Sequence, residues 1–245
     1  MNVDRVVRVG VELGRRSRGA PIAVAHVCAT AVEVIDVDGA GVTVMVSPTV
    51  RDSVHATDLV AVALEQWQLA FGEGPCVDAF TRGGPVLVAD LAAADYGARW
   101  PAFTPAALDT GARALFALPL QIGTIRLGVV DLYRARPGPL TPYEVADALA
   151  FADIAAMLLL DGEAGMPPDM AELAWQRDDP TAHQARVHQA TGVILAQLGV
   201  SAEVAFARLR AYAYAEDRQL GEVARDVVER RLRFEPDPPP GRDQE

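Results

Sequence analysis

The chain has 245 residues, enough for one large domain or two ordinary ones, and its 51% hydrophobic and 22% charged content is that of a folded rather than a disordered protein. A net charge of −11 excludes overall basicity as a reason to bind nucleic acid. Two isolated cysteines exclude a disulfide framework and argue against a structural zinc site, and no apolar stretch reaches the length of a signal peptide or a membrane span, so a cytoplasmic location is expected.

In chain order, residues 3 to 16 read as a short helix, with Val3, Val7 and Val11 at four-residue steps. From Ala31 to Ser47, apolar and polar residues alternate around Asp38-Gly39, which predicts two strands joined by a tight turn. Leu59 to Phe71 returns to helical spacing before GEGPC breaks it, and Pro85 to Ala89 is a short buried-type strand. A proline-containing loop follows over Asp90 to Gly111. Arg113 to Ile122 and Thr124 to Tyr133, separated by Gly123, form the clearest hairpin in the chain. In Thr141-Pro142-Tyr143-Glu144, threonine caps, proline takes the first helical position and glutamate completes a capping box for a helix over Pro142 to Leu160.

That order is an antiparallel sheet with helices against it, an α+β arrangement. The segments GEGPCVDAF, PVLVADL, RWPAF, FALPLQIGTIRLGVVDLYR and GPLTPYEVADALAFADIAAMLLLDG come in the order of a GAF sensory domain of the bacterial type, which the chain resembles from about Pro21 to Asp161. The resemblance implies a small-molecule pocket between sheet and covering helices. Trp67, Phe80, Trp100, Phe103 and Phe116 are the candidate lining, with plain core filling as the competing role. The NKFDE pattern of cyclic-nucleotide-binding members is not visible. His26, Cys28, His55 and Cys76 have no spacing that supports a thiol–imidazole pair, so no catalytic residue, metal or cofactor is expected and the chain does not read as an enzyme. Cys76 in GEGPC sits either in a structural loop or at a redox or ligand position.

The acidic, proline-containing stretch over 162–180 reads as a linker, and 235–245 as a disordered tail. Between them, residues 181–234 carry apolar positions at three- and four-residue spacings: Val187, Ala190, Ile194 and Leu198, then Val204, Ala205 and Leu209, then Leu220, Val223, Ala224, Val227 and Val228. Gly199 closes the first of three helices, Ser201 caps the second, and Glu216, Asp217 and Arg218 turn into the third. Such short helices must pack on one another, and Ala190, Ala205, Ala213 and Ala224 on the inner faces permit close approach. Eight arginines against six acids give this section +2 in an otherwise acidic chain.

The run QATGVILAQLGVSAEVAFARLRAYAYAEDRQLGEVARDVV resembles the ANTAR domain, the RNA-binding output module of bacterial antitermination regulators. Many members place a lysine between the alanine and glycine of the first helix. Here that position is Thr191, which can donate to a phosphate but brings no charge. The resemblance implies RNA contact through Thr191, Gly192, Arg208, Arg210, Arg218 and Arg225, since arginine forks on phosphate and stacks on unpaired bases. Solvated charges paired with Glu203, Glu222 or Glu229 are the bland alternative. Gly192 inside a helix costs about 1 kcal/mol relative to alanine, which close approach of RNA or of a neighbouring helix would explain. Of Tyr212 and Tyr214, pointing in different directions, one is placed to stack on a base and the other to pack inside.

The function these resemblances imply is an antitermination regulator. Its GAF domain takes an input and its ANTAR domain binds paired mRNA stem-loops, as a homodimer because the apolar surface of helix 142–160 exceeds what one sheet flank covers. A helix-turn-helix-like DNA-binding factor with a GAF sensor is the alternative, opposed by the acids Glu222, Asp226 and Glu229 in the third helix.

Overall fold

The computed structural model describes residues 3–48, 51–163, 180–216 and 218–235. The chain divides into two compact units, Met1–Gln176 and Arg177–Glu245. The expected linker, apart from its ends, and the expected tail beyond Glu235 lie outside the described residues.

The first unit is built on a five-stranded sheet in the order β2-β1-β5-β4-β3. Its strands are β1 (Gly39–Met45), β2 (Arg51–Ala56), β3 (Val86–Val88), β4 (Ala114–Ile122) and β5 (Ile125–Arg134), every neighbouring pair antiparallel. Both faces are covered, so each strand divides its side chains between two cores at a period of two. Ala40, Val42, Phe116, Leu118, Val130 and Leu132 pack beneath α1 (Val3–Ser17), α2 (Val24–Ile35) and α7 (Pro142–Glu163). Met45, Leu115, Ala117, Val129 and Tyr133 pack beneath α3 (Leu59–Phe71), α4 (Pro75–Arg82) and the short helices α5 (Ala94–Arg99) and α6 (Phe103–Asp109).

The central hairpin forms as its pattern predicts, Gly123 adopting a left-handed φ of 61° between β4 and β5. At the head of α7 the capping box is complete. The Thr141 amide donates to Glu144 Oε2 at 2.6 Å, and the Glu144 amide to Thr141 Oγ1 at 3.2 Å. Asp58 caps α3 by accepting from the amides of Val60 and Ala61, and Glu73 caps α6 by accepting from those of Ala102 and Phe103.

Two expectations fail here, each because tertiary burial overrides a local pattern. The alternation from Ala31 is the end of α2, whose buried residues Val27, Cys28, Ala31 and Ile35 follow helical spacing. Asp36, at φ 55°, ends that helix, so only one strand of the expected pair exists before Ser47, and it pairs with β2 and β5. The helix expected over residues 3–16 forms as α1. Val7 and Val11 are exposed, whereas Val9 and Leu13 enter the core and Arg5 and Arg8 pair with the nearly buried Asp147 of α7. The loop after β3 holds α5 and α6, which seat Trp100 and Phe103.

The second unit comprises α8 (Pro180–Leu198), α9 (Ala202–Ala215) and α10 (Leu220–Val228). Gly199 ends α8 at φ 67° with its amide on the Leu195 carbonyl, and Ser201 Oγ accepts from Val204 N at the head of α9. Ala190, Ala205, Ala213 and Ala224 are all buried as expected. Val204 is exposed instead, and Phe206 takes its place in the core. Phe234 closes the unit, its amide on Gln197 Oε1 at 3.0 Å and its ring edge-on to Tyr212 at 5.5 Å.

Candidate sensory site and RNA interface

The aromatic residues expected to line one pocket are divided by the sheet. Phe116 lies in the core under α2 and α7, whereas Trp67, Phe80, Trp100 and Phe103 lie on the opposite face. One cavity cannot touch all five. Trp100 and Phe103 are essentially fully buried and meet edge-on at 6.3 Å, and Trp67 stacks on Phe71 at 5.3 Å, which is core filling.

The α3–α4 face of the sheet holds a different feature, a buried polar cluster. From α3 come Glu65 and Gln68, three residues apart and thus on one side of the helix; β1 supplies Thr43, β5 supplies Asp131, and Cys76 stands in the first turn of α4. Arg51, opposite Met45 in the β1–β2 ladder, adds a positive charge felt by both carboxylates. The GEGPC segment exists in this form to place Cys76. Gly72, at φ 64°, closes α3. Gly74, at φ 127°, lies against the Gln68 side chain, which a Cβ there would strike at 2.7 Å, and Pro75 starts α4. Gln68 then accepts from the Cys76 amide at 2.7 Å and donates to Asp131 Oδ2 at 2.8 Å, while Thr43 Oγ1 donates to Glu65 Oε2.

Gly41, Leu64, Glu65, Leu115, Asp131 and Tyr133 surround a cavity of about 10 Å³. That is room for roughly one water molecule. Burial, the largest effect, and the Glu65 charge after it hold the Asp131 carboxyl well above the usual range. Burial also raises Glu65, and burial followed by the charges of Asp131 and Glu65 pushes the Cys76 thiol up. Among the described residues, neither Glu65 Oε1 nor Asp131 Oδ1 has a hydrogen-bond partner.

The other cysteine lies on the other face of the sheet. Cys28 lies in the opposite core, its thiol raised by burial to about 12, and His26 is occupied in capping α2, its Nδ1 accepting from the Ala23 amide. No thiol–imidazole pair is assembled from these residues.

In the second unit, the residues singled out for RNA occupy different settings. Thr191 Oγ1 donates to the Val187 carbonyl one turn back, at 2.8 Å. Gly192 is exposed, and a Cβ added there would meet nothing within 4 Å, which removes close helix packing as the reason for a glycine. Arg208 is exposed on α9; Arg210 is half-buried with its guanidinium 5.7 Å from the Phe206 ring centre; Arg225 is half-buried on α10. Arg218 donates to Asp226 Oδ2 at 2.7 Å, and Arg231 to Asp226 Oδ1 at 2.8 Å. These two hydrogen bonds depress the Asp226 carboxyl below its usual value. Tyr212 packs inward against Phe234, and Tyr214 is 72% exposed.

A sheet covered on both faces by helices, with a small cavity under one of them, is followed by a separate three-helix unit. Residues 19–160 match the family model of the GAF domain and residues 181–228 that of the ANTAR domain. The chain therefore belongs to the GAF family and carries an ANTAR domain, the pairing of a sensor module with an RNA-binding antitermination module. Among solved structures it is similar to the GAF domain of a phosphoenolpyruvate-protein phosphotransferase from Coxiella burnetii, at 16% identity and a TM-score of 0.49, covering 67% of this chain and 98% of that one. A domain of a putative two-component sensor histidine kinase from Sinorhizobium meliloti is similar at 18% identity and a TM-score of 0.45, covering 62% of this chain and 94% of that one. No curated protein matches the sequence. Among the described residues, no helix is long and apolar enough to cross a membrane.

Sequence reasoning passed over Glu65, Gln68, Asp131 and Arg51. The signal was present in two acids set inside apolar runs, LVAVALEQWQLAF and GVVDLY, because a carboxylate in a buried element needs a partner.

Proposed function

We propose that the protein is a one-component cytoplasmic regulator that binds paired stem-loops in nascent mRNA, so that a terminator hairpin cannot form, and that its GAF domain sets this activity in response to an input. The observation that carries the reading is the ANTAR match over 181–228, coincident with a three-helix unit. The surface of α9 supports it, since Arg210 and the exposed ring of Tyr214, one turn apart, are an arginine-and-aromatic pair of the kind that reads unpaired bases. Glu222 and Glu229, exposed on and just after α10, disfavour insertion of that helix into a DNA groove. No bond is made or broken in this function, and RNA is the macromolecular partner. A second copy of the chain is the natural cover for Leu149, Met157 and Leu160, exposed in a row along α7.

The test is a titration of a paired-hairpin RNA at several salt concentrations. Arg210→Ala should weaken binding by about 1–3 kcal/mol, whereas Arg15→Ala, at an exposed position of α1, should leave it unchanged. With a net charge of only +2 over residues 181–234, the salt dependence should be shallow. Equal affinity for duplex DNA of any sequence would refute the RNA reading.

A further inference from the structure

We propose that Cys76, Glu65 and Asp131 form a mononuclear site for a divalent transition-metal ion of the Zn²⁺ or Fe²⁺ type, open on one side to the one-water cavity. One donor atom from each residue lies within 4.8 Å of the others, and all three side chains are buried. Glu65 Oε1 and Asp131 Oδ1 are acceptors without partners in a nearly dry interior, Glu65 being 3% and Asp131 5% exposed. A cation between them would satisfy both at once, as would a shared proton or a water molecule in the adjoining cavity.

Charge balance is met by a divalent cation. Ionised Cys76, Glu65 and Asp131 carry −3, Arg51 contributes +1, and a divalent ion brings the buried cluster to neutrality. The donor set selects the class of metal. One thiolate with two carboxylates, and the Met45 thioether 3.7 Å from Cys76 Sγ, suits Zn²⁺ or Fe²⁺ rather than the oxygen-only shells of Mg²⁺ or Ca²⁺. Bonds of about 2.0–2.3 Å require the donors to close in by an ångström or so, a side-chain movement.

The surroundings are arranged as outer partners of such ligands. Thr43 holds Glu65, and Gln68 holds both Asp131 and the backbone of Cys76. Gly41 leaves the space that Glu65 occupies, since a Cβ there would stand 3.0 Å from Glu65 Oε1. Three protein donors leave one position of a tetrahedral ion, and the cavity beside it admits a ligand the size of a water molecule. The input to the regulator is then a change at this ion, in its presence or in the small ligand on its open position. That role, unlike the site itself, rests on the sensory reading of the GAF domain.

The full chain, purified with reductant under anoxic conditions and stripped of metal, is titrated with Co²⁺. The expected result is a thiolate-to-cobalt charge-transfer absorption saturating at one ion per chain, displaced by Zn²⁺. Cys76→Ala should abolish it, and Cys28→Ala, in the opposite core, should keep it. Thr43→Val should weaken binding about 10- to 100-fold. Because Cys76→Ala alters a buried position, Asp131→Asn serves as a near-isosteric second variant. Its circular dichroism should match wild type, and added Zn²⁺ should raise the unfolding temperature of wild type but not of Asp131→Asn. Absence of the band in wild type, or its persistence in Cys76→Ala, overturns the site and leaves a proton-sharing carboxylate pair, with the RNA reading intact. A band as expected with equal RNA affinity in metal-loaded and stripped protein overturns the input role and leaves the site.

Discussion

Asp131 and Asp226 show how differently the two units handle charge. Asp131 is buried in the sensor domain, its carboxyl pushed above the usual range by desolvation and by Glu65, with one oxygen unsatisfied. Asp226, at the surface of the output domain, is pushed below that range by hydrogen bonds from Arg218 and Arg231. The second arrangement is a clamp: it holds the turn before α10 to the residues after it and asks nothing of a ligand. The first is costly, since two acids buried side by side repel when both are ionised, and the hydrogen bonds from Gln68 and Thr43 and the charge of Arg51 offset that against the burial.

If the sensor domain is a rigid frame around that cluster, the sharpest way to break the contrast is to damage the frame alone. Trp100→Ala should remove about 3–5 kcal/mol from the sensor domain, while a fragment from Arg177 onward, unfolding by itself in circular dichroism, keeps its helical transition. Loss of helix in that fragment would refute independence of the output domain.

Within the output domain the core is small enough to overfill. Ala224→Leu, at a fully buried position on α10, should cost about 1–3 kcal/mol in thermal unfolding. The exposed side offers the opposite experiment. Gly192→Ala adds a methyl group that meets nothing in the domain, so it should stabilise α8 by about 1 kcal/mol yet weaken RNA binding if the RNA backbone approaches there. A gain in stability with unchanged RNA affinity would remove Gly192 from the interface.

The smallest effect concerns the clamp. Because the Asp226 carboxyl is depressed in the fold, its contribution is present above the ordinary aspartate value of about 3.9 and is lost as pH falls through the folded value. Stability of the Arg177 fragment should therefore decline on acidification in that range, and Asp226→Asn should flatten the decline.

Much of the output domain was legible because its signals are local. Gly199, Ser201 and the four inward alanines act within one helix or one turn, and each lies where its local chemistry requires. Its RNA residues were legible by resemblance, but their settings were not: Arg218 donates to a residue eight positions away, and that pairing depends on how α10 returns toward the turn.

The sensor domain shows the limit from the other side. Its central hairpin, the capping box at Thr141 and the helix over Leu59–Phe71 follow from turn chemistry and periodicity. Alternation at Ala31–Asp36 misled, because β-branched residues fit a strand as readily as a buried helix until packing chooses. By itself the sequence determined two domains, their families, the central hairpin and the three-helix output. Only the tertiary structure decided that Phe116 and Trp100 lie on opposite faces of one sheet, and that Glu65, Cys76 and Asp131 converge. Those residues are brought together by the pairing of β1 with β5 and by the seating of α3 and α4 over them, and contacts between distant segments leave no period in the chain that makes them.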